Sequence, residues 1–509
     1  MSDLERQYSG EKSIAQTKVH DDHENEDPEY AEYLVLAEEY TGDKMKRLTR
    51  AIDFRVVPQL IFIYMLSYID RANVGNARLF GAQTDTGLSD TDWNIGLSLL
   101  FITFACFGLP SNLLVKRFGP KIVLPTLLMC VGGILIGAGC CNNRASWFAL
   151  RILLGAFEAG MYPGCTYTLT TWYTPSQIHS RTSIYYLGGV LSGAFSGILA
   201  YGIGRLDYTW GFRGWRFIYV IEGLITFVVG LIAIFTLQDT PAKTKGWLSE
   251  TDKRFLHLRN KFMYGGGSAK GKDGFRWTDV LQAIKSVHTW ILCLIAICNT
   301  MALYGFSLSL PTIVKNMGFT AADAQGLSAP PYVFASICVV ASGFFSDKYR
   351  LRAATIIVPS FFAFVGILTC YLTVHLPNLV ALSYIATCVA AGGLYCLTPA
   401  LTVWIGLNSA GQTKRAAAIS IVFFAAAIGG VPGSYIYIAK EAPRYPTGFG
   451  TSLAVLGFGN LIVPAFYWWF CGRQNSKREA MSKEQILANH SQDELAALGD
   501  LSPLYRYER

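Results

Sequence analysis

Apolar runs of spanning length recur along the 509-residue chain near 56–80, 93–115, 121–141, 146–173, 181–204 and 215–237. After a polar gap they resume near 288–312, 327–346, 353–374, 378–406, 415–439 and 448–471. About twenty residues at about 1.5 Å rise per residue cross a hydrocarbon core of roughly 30 Å. Within lipid the backbone must satisfy its own hydrogen bonds, so runs of this length predict helices. The predicted fold is an all-α membrane protein: twelve transmembrane helices in two six-helix bundles. The organisation that follows is a disordered cytosolic tail over 1–55, a bundle over 56–237, a cytosolic central loop over 238–287, a second bundle over 288–471 and a cytosolic tail over 472–509.

The pattern is broken conspicuously inside the first run, where Tyr68-Ile69-Asp70-Arg71-Ala72-Asn73-Val74-Gly75-Asn76-Ala77 sets an acid, a base and two amides among apolar residues. A charge at this depth costs at least about 2.5 to 3.5 kcal/mol on insertion scales, so such groups face a cavity, pair with one another or bind something.

Composition supports the membrane assignment: 52% of residues are hydrophobic, 15% are charged, and mean hydropathy is positive. The net charge of +8 does not point to nucleic acid, because Lys and Arg cluster in alternate connections, as the positive-inside rule requires. Lys44, Lys46, Arg47, Lys116, Arg117, Lys121, Lys348, Arg350, Arg352, Lys414 and Arg415 mark the cytosolic side, which places both termini there. The first residues are acid-rich (Asp21, Asp22, Glu24, Glu26, Asp27, Glu29), which reads as a tail without fixed structure. The Gly265-Gly266-Gly267-Ser268 stretch reads as a flexible linker, and the sequon Asn489-His490-Ser491 falls in a cytosolic tail, where it stays unglycosylated. The twelve Cys lie scattered without ligand spacing and read as small hydrophobes, Cys140-Cys141 included. The His lie in tails, loops or span ends, so no metal or other cofactor is expected.

The halves repeat. After the second span the chain reads Ser111-Asn-Leu-Leu-Val-Lys116-Arg117-Phe-Gly119-Pro-Lys121, and 231 residues later Ser342-Gly343-Phe-Phe-Ser-Asp347-Lys348-Tyr-Arg350-Leu-Arg352, in register at apolar and basic positions. This is a duplicated six-span unit, with Lys116, Arg117, Asp347, Lys348 and Arg352 as gating-loop residues.

The second copy resembles the short Gly-x-x-x-Asp-Arg/Lys loop of the major facilitator superfamily; the first is degenerate, with Lys116 where the acid usually stands. The Asp70-Arg71 stretch, Leu109-Pro110-Ser111-Asn112, Arg151-x3-Gly155-x2-Glu158-Ala159-Gly160, Gly214-Trp215-Arg216-x5-Glu222-Gly223 and Asn408-x-Ala410-Gly411-x-Thr413-Lys414-Arg415 together resemble the fungal allantoate permease family of anion:cation symporters. The resemblance covers residues 45 to 472. It implies alternating access between two pseudo-symmetric bundles. In similar vesicular glutamate and galactonate transporters, the matching acids and arginines carry proton coupling and anion binding.

Charge within the spans is confined to the first half, and the register maps Asp70 and Arg71 onto uncharged Met301 and Ala302. Rise per residue puts Asp70, Arg71 and Arg151 in one layer, with Glu158 near the midplane on the Arg151 face of span 4. A desolvated carboxylic acid takes up a proton readily, and a guanidinium offers a carboxylate two parallel donors. Glu158 with Asp70 is assigned to proton coupling and Arg71 with Arg151 to the anion, the Asp70–Arg151 pair holding or releasing the gate. Glu222 is a further candidate, or else a partner of a base on span 1 or 5. Asn73 and, in the second half, Asn299, Thr300, Tyr304, Tyr395, Thr398 and Trp404 are candidate cavity residues. Gly189, Gly193 and Gly197 form a stripe for close helix packing, and Gly429-Gly430-Val431-Pro432-Gly433 offers a bend in span 11. Span 5 lacks the Gly-Pro element of drug:proton antiporters in the superfamily, which favours symport.

The expectation is a monomeric, proton-coupled importer of a small organic anion in the plasma membrane, with protons and lipid as its other partners and no enzymatic activity. Nicotinate, biotin, pantothenate, ureides and small carboxylates are compatible substrates. The alternatives are an exporter of a secondary metabolite on the same fold and a non-transporting nutrient sensor.

Overall fold

The computed structural model describes residues 28–509 except 175–176, 204–205, 207, 209–210, 245, 264–276, 350, 411, 482–485 and 487–498. The Gly265–Ser268 linker and the Asn489 sequon lie outside the described residues, as do the side chains of Lys116 and Asp347. The described chain is helical throughout, with ten helices long and apolar enough to cross a membrane.

Spans 1 to 3 are Gly42–Leu79, Asp90–Phe118 and Pro120–Gly139. Ser89 and Asp92 form a reciprocal cap at the start of span 2. Gly119, at φ +87°, makes the turn into span 3, which Pro120 begins. Span 4, expected as one run, is two helices, Arg144–Glu158 and Met161–Trp172, interrupted at Ala159–Gly160 directly after Glu158. A Cβ on Gly160 would lie 2.7 Å from the Ser111 and Leu127 side chains, so spans 2 and 3 press on the break. Spans 5 and 6 are Ile178–Ile203 and Gly214–Thr236. The second half supplies Val287–Asn316, Ala329–Tyr349, Ala354–Thr373, Val380–Leu407, Gln412–Gly433 and Pro446–Glu479 as spans 7 to 12, the last with a π-helical segment at Leu456–Ile462. Span 11 is the shorter apolar helix, and it stops at Gly433 rather than near 439.

Small residues bring the halves together. On span 5, Gly193 lies under the Tyr332 ring and Gly197 under the Gln325 carbonyl, where an added Cβ would come within 2.6 and 2.7 Å. Span 2 meets span 11 where Phe101 covers Gly430 and Ser98 Oγ lies 3.1 Å from Ser434 Oγ. Span 1 meets span 7 at Gly75, against the Leu308 carbonyl. The glycines at 429, 430 and 433 thus serve close packing on Thr300, Phe101 and Met301, within a continuous helix.

The expectation of a structureless tail is corrected for residues 28–55. Residues 28–55 are helical: Pro28–Glu39 is a separate helix, and span 1 begins at Gly42. Tyr40 stacks on Phe255 at 4.2 Å and donates to Asp252 at 2.5 Å, and Arg254 contacts Glu29 and Glu32 at 3.2 and 2.7 Å. Glu29, one of the acids that suggested a structureless tail, is thus a partner of the central segment, which itself holds helices Glu250–Met263 and Trp277–Lys285. Burial raises the Asp252 carboxyl, but hydrogen bonds from Ser249 and Tyr40 outweigh it and leave it below the usual range. In the last segment, residues 499–509 pack against the second half. Glu508 O accepts from Trp404 Nε1 and Asn408, Tyr507 stacks on His288 at 4.1 Å, and Asp500 forms a buried pair with Lys414.

Candidate functional site

Two ion pairs link span 1 to span 4. Arg151 Nη1 donates to Asp70 Oδ2 at 2.6 Å and Nη2 to the Tyr219 hydroxyl at 2.9 Å, while the guanidinium stacks over Trp147 at 4.2 Å. Asp70 is fully buried and Arg151 is 2% exposed. One residue along span 1, Arg71 Nε donates to Glu158 Oε2 at 3.0 Å, Nη2 lies 3.0 Å from the same oxygen, and Nη1 donates to Tyr304 OH at 2.5 Å. Consecutive residues on a helix point about 100° apart, so Asp70 and Arg71 serve different neighbours, and the heptad from Arg151 to Glu158 answers both from one face.

The two pairs differ in access. Arg71 and Glu158 line a central cavity, whereas Asp70 and Arg151 do not reach it. Tyr64, Phe101, Phe104, Tyr162, Tyr186 and Phe423 make its walls largely aromatic. The Arg71 guanidinium lies 4.6 Å from the ring centres of both Tyr68 and Phe104, a cation held over π faces. Removing one partner of such a buried pair leaves an uncompensated charge, at a cost of about 3–5 kcal/mol. Glu158 Oε1 and Asp70 Oδ1 have no hydrogen-bond partner among the described residues, so each carboxylate is held by one oxygen only.

Glu222 is buried on span 6, three residues from Tyr219, and both its oxygens lack a partner among the described residues. It does not pair with a base on span 1 or 5.

The candidate cavity residues divide. Thr300, Tyr304 and Thr398 line the central cavity; Tyr395 lines a smaller adjoining one, where its hydroxyl lies 3.0 Å from Ser307 Oγ. Asn73 instead accepts from Ser196 on span 5, Asn299 accepts from Asn460 on span 12, and Trp404 is bonded to Glu508 away from the cavity. Helical spacing gives which residues share a face, not which neighbour that face meets. In the loops, Arg352 donates to Ser346 O and Oγ, Arg117 lies over Phe118 and Lys348 over Tyr349. Tyr219, Trp147 and Phe104 escaped the sequence reading. The only signal for Tyr219 was its spacing of three from Glu222.

Residues 60–434 match the family model of the Major Facilitator Superfamily. The "MFS-type transporter cnsO" of Penicillium expansum is 35% identical, over 100% of this chain and 98% of its own. The "High-affinity nicotinic acid transporter" of Saccharomyces cerevisiae is 28% identical, over 86% of this chain and 80% of its own. Among solved structures, the proton:xylose symporter XylE bound to 6-bromo-6-deoxy-D-glucose aligns with a TM-score of 0.61 at 15% identity, covering 83% of this chain and 96% of that one. An inward-facing bacterial homolog of the human lysosomal transporter Spinster aligns with a TM-score of 0.57 at 17% identity, over 81% and 93%.

Proposed function

The chain belongs to the Major Facilitator Superfamily and is a multi-pass membrane transporter of that fold, and we propose that it is a proton-coupled symporter of a small organic anion, of the allantoate permease type, working by alternating access. The observation that carries this reading is the Arg71–Glu158 pair in the cavity wall. A substrate carboxylate that takes Arg71 displaces Glu158, whose charge then stands unpaired in an apolar wall unless it takes up a proton. Anion and proton therefore enter together. Asp70 and Arg151, sealed behind the cavity, fix span 1 to span 4 and keep the Arg71 helix face turned toward the substrate. The nicotinic acid transporter among the relatives is compatible with a carboxylate substrate. The basic connections support cytosolic termini, and import from outside the cell places the protein in the plasma membrane.

Uptake against a panel of carboxylates, at several external pH values with the membrane potential clamped, tests the proposal. Accumulation rising with the inward proton gradient is expected; uptake indifferent to that gradient would sink it.

A further inference from the structure

We infer that Tyr304 is the second donor to the substrate anion, so that one carboxylate is held jointly by the Arg71 guanidinium of the first half and the Tyr304 hydroxyl of the second. This rests on the anion-transport reading above and adds to it how the second half takes hold of the charge.

The argument is an account of protons. A guanidinium has five N–H donors and no acceptor, so Arg71 Nη1, at 2.5 Å from Tyr304 OH, must be the donor. The Tyr68 hydroxyl donates to the same oxygen at 3.2 Å. Both acceptor positions of the Tyr304 hydroxyl are then occupied, and its own proton has no acceptor among the described residues. Arg71 is in the matching condition: Nε and Nη2 meet Glu158 and Nη1 meets Tyr304, which leaves one N–H on each terminal nitrogen. Both side chains line the central cavity. A carboxylate that displaces Glu158 there offers one oxygen to the Arg71 N–H groups and the other to the spare phenol O–H, and bonds to a charged acceptor are the stronger kind. An uncharged amide oxygen accepts only the weaker neutral kind of bond from either donor, so it gains less from the pair.

The repeat makes the role specific to this position. Under the 231-residue register Tyr304 corresponds to Asn73, which is turned away to Ser196. Among the described residues, Tyr304 is the second-half side chain that hydrogen-bonds to the ionic cluster of spans 1 and 4. A substrate bridging Arg71 and Tyr304 therefore ties span 1 to span 7, which couples occupancy to the approach of the halves.

The test uses the full-length protein in liposomes with an imposed inward proton gradient. Benzoate, nicotinate and pantothenate serve as substrates, and benzamide, nicotinamide and pantothenamide as competitors. Tyr304→Phe keeps the ring and deletes the O–H; it is expected to raise the KM of a transported carboxylate roughly 10- to 100-fold. It leaves the pH dependence of uptake unchanged and weakens inhibition by the amide much less than it weakens the acid, and Tyr304→His, which restores an N–H donor, recovers part of the loss. An unchanged KM, or equal weakening of acid and amide, overturns the inference. Should Tyr304→Phe fail to fold, 3-fluorotyrosine incorporated at position 304 decides alone. The fluorinated phenol is a stronger donor on an unchanged ring, so the carboxylate KM is expected to fall; an unchanged KM overturns the inference. Wild-type protein that accumulates none of the acids would overturn the anion reading and this inference with it, whereas accumulation with a wild-type KM in Tyr304→Phe overturns the inference only.

Discussion

The two halves of this transporter descend from one six-span unit, yet they meet the central cavity with different chemistry. The first half brings Arg71 and Glu158, backed by Asp70 and Arg151; the second brings Thr300, Tyr304, Thr398 and Phe423, all uncharged. Met301 and Ala302 stand where the repeat would put Asp70 and Arg71, and Ala302 is buried in the core. The bundle therefore folds without the ionic lattice in one copy. A fold that tolerates its absence is free to use it, and the physics of a low-dielectric wall gives that use: a charge there must be paired, displaced or neutralised. On the proposed function, the uncharged half would supply shape and hydrogen bonds that sort substrates without moving protons.

The sharpest way to break this comparison is Glu158→Gln. If proton chemistry resides in the first half, the variant equilibrates substrate without concentrating it and loses the pH dependence of uptake. A variant that still accumulates substrate in a pH-dependent way would refute the division. The complementary change, Thr398→Val, should alter the ratio of KM values among carboxylates while leaving pH dependence intact.

Next in size is the sealed pair. Arg151→Met strands Asp70 in the protein interior and should destabilise the fold by about 3–5 kcal/mol. Adding Asp70→Asn removes the orphaned charge, so the double variant should recover much of that loss. Thermal unfolding of the purified protein in detergent measures both. If the two single variants and the double show additive losses, the pair is not coupled.

The seam between the halves is more modest. Gly193→Leu has no room beneath Tyr332, and overpacking of this kind costs about 1–3 kcal/mol. The variant should slow transport of every substrate alike, since it acts on the approach of the halves and not on the site. A change confined to one substrate would place Gly193 in recognition.

The smallest effect concerns the helix Pro28–Glu39. A hydrogen bond from Arg254 holds the Glu32 carboxyl below its ordinary range, against some opposition from burial. A carboxyl lowered in the folded state contributes stability above its unfolded value and loses it as pH falls through the folded one. Hydrogen exchange over 28–39 should therefore quicken only at pH below the usual carboxylate range, and Arg254→Gln should abolish that dependence at neutral pH by releasing the helix already.

Much of this protein could be read from residue order because lipid imposes so few solutions. Continuous apolar runs must be helices, basic connections mark one face, and an acid and a base in hydrocarbon announce a site; Asp70, Arg71, Arg151 and Glu158 were legible for that reason alone. Legibility failed where polar segments found partners far along the chain. Glu29 and Glu32 looked like a solvated tail until Arg254 was placed beside them, more than 220 residues away. Trp404 shares the helical spacing of cavity residues, but it meets the segment at Glu508.

The sequence by itself determined the fold class, the repeat and the four charged residues, since each follows from local hydrophobicity and the cost of charge in lipid. Which acid faces which base was decided only by the packing of span 1 against span 4. The same packing buried one pair and left the other in the cavity wall, and it set Tyr304 against Arg71. Those outcomes depend on how helices rotate about their own axes when their small residues bring them together, and no periodicity along a single helix encodes its neighbour's rotation.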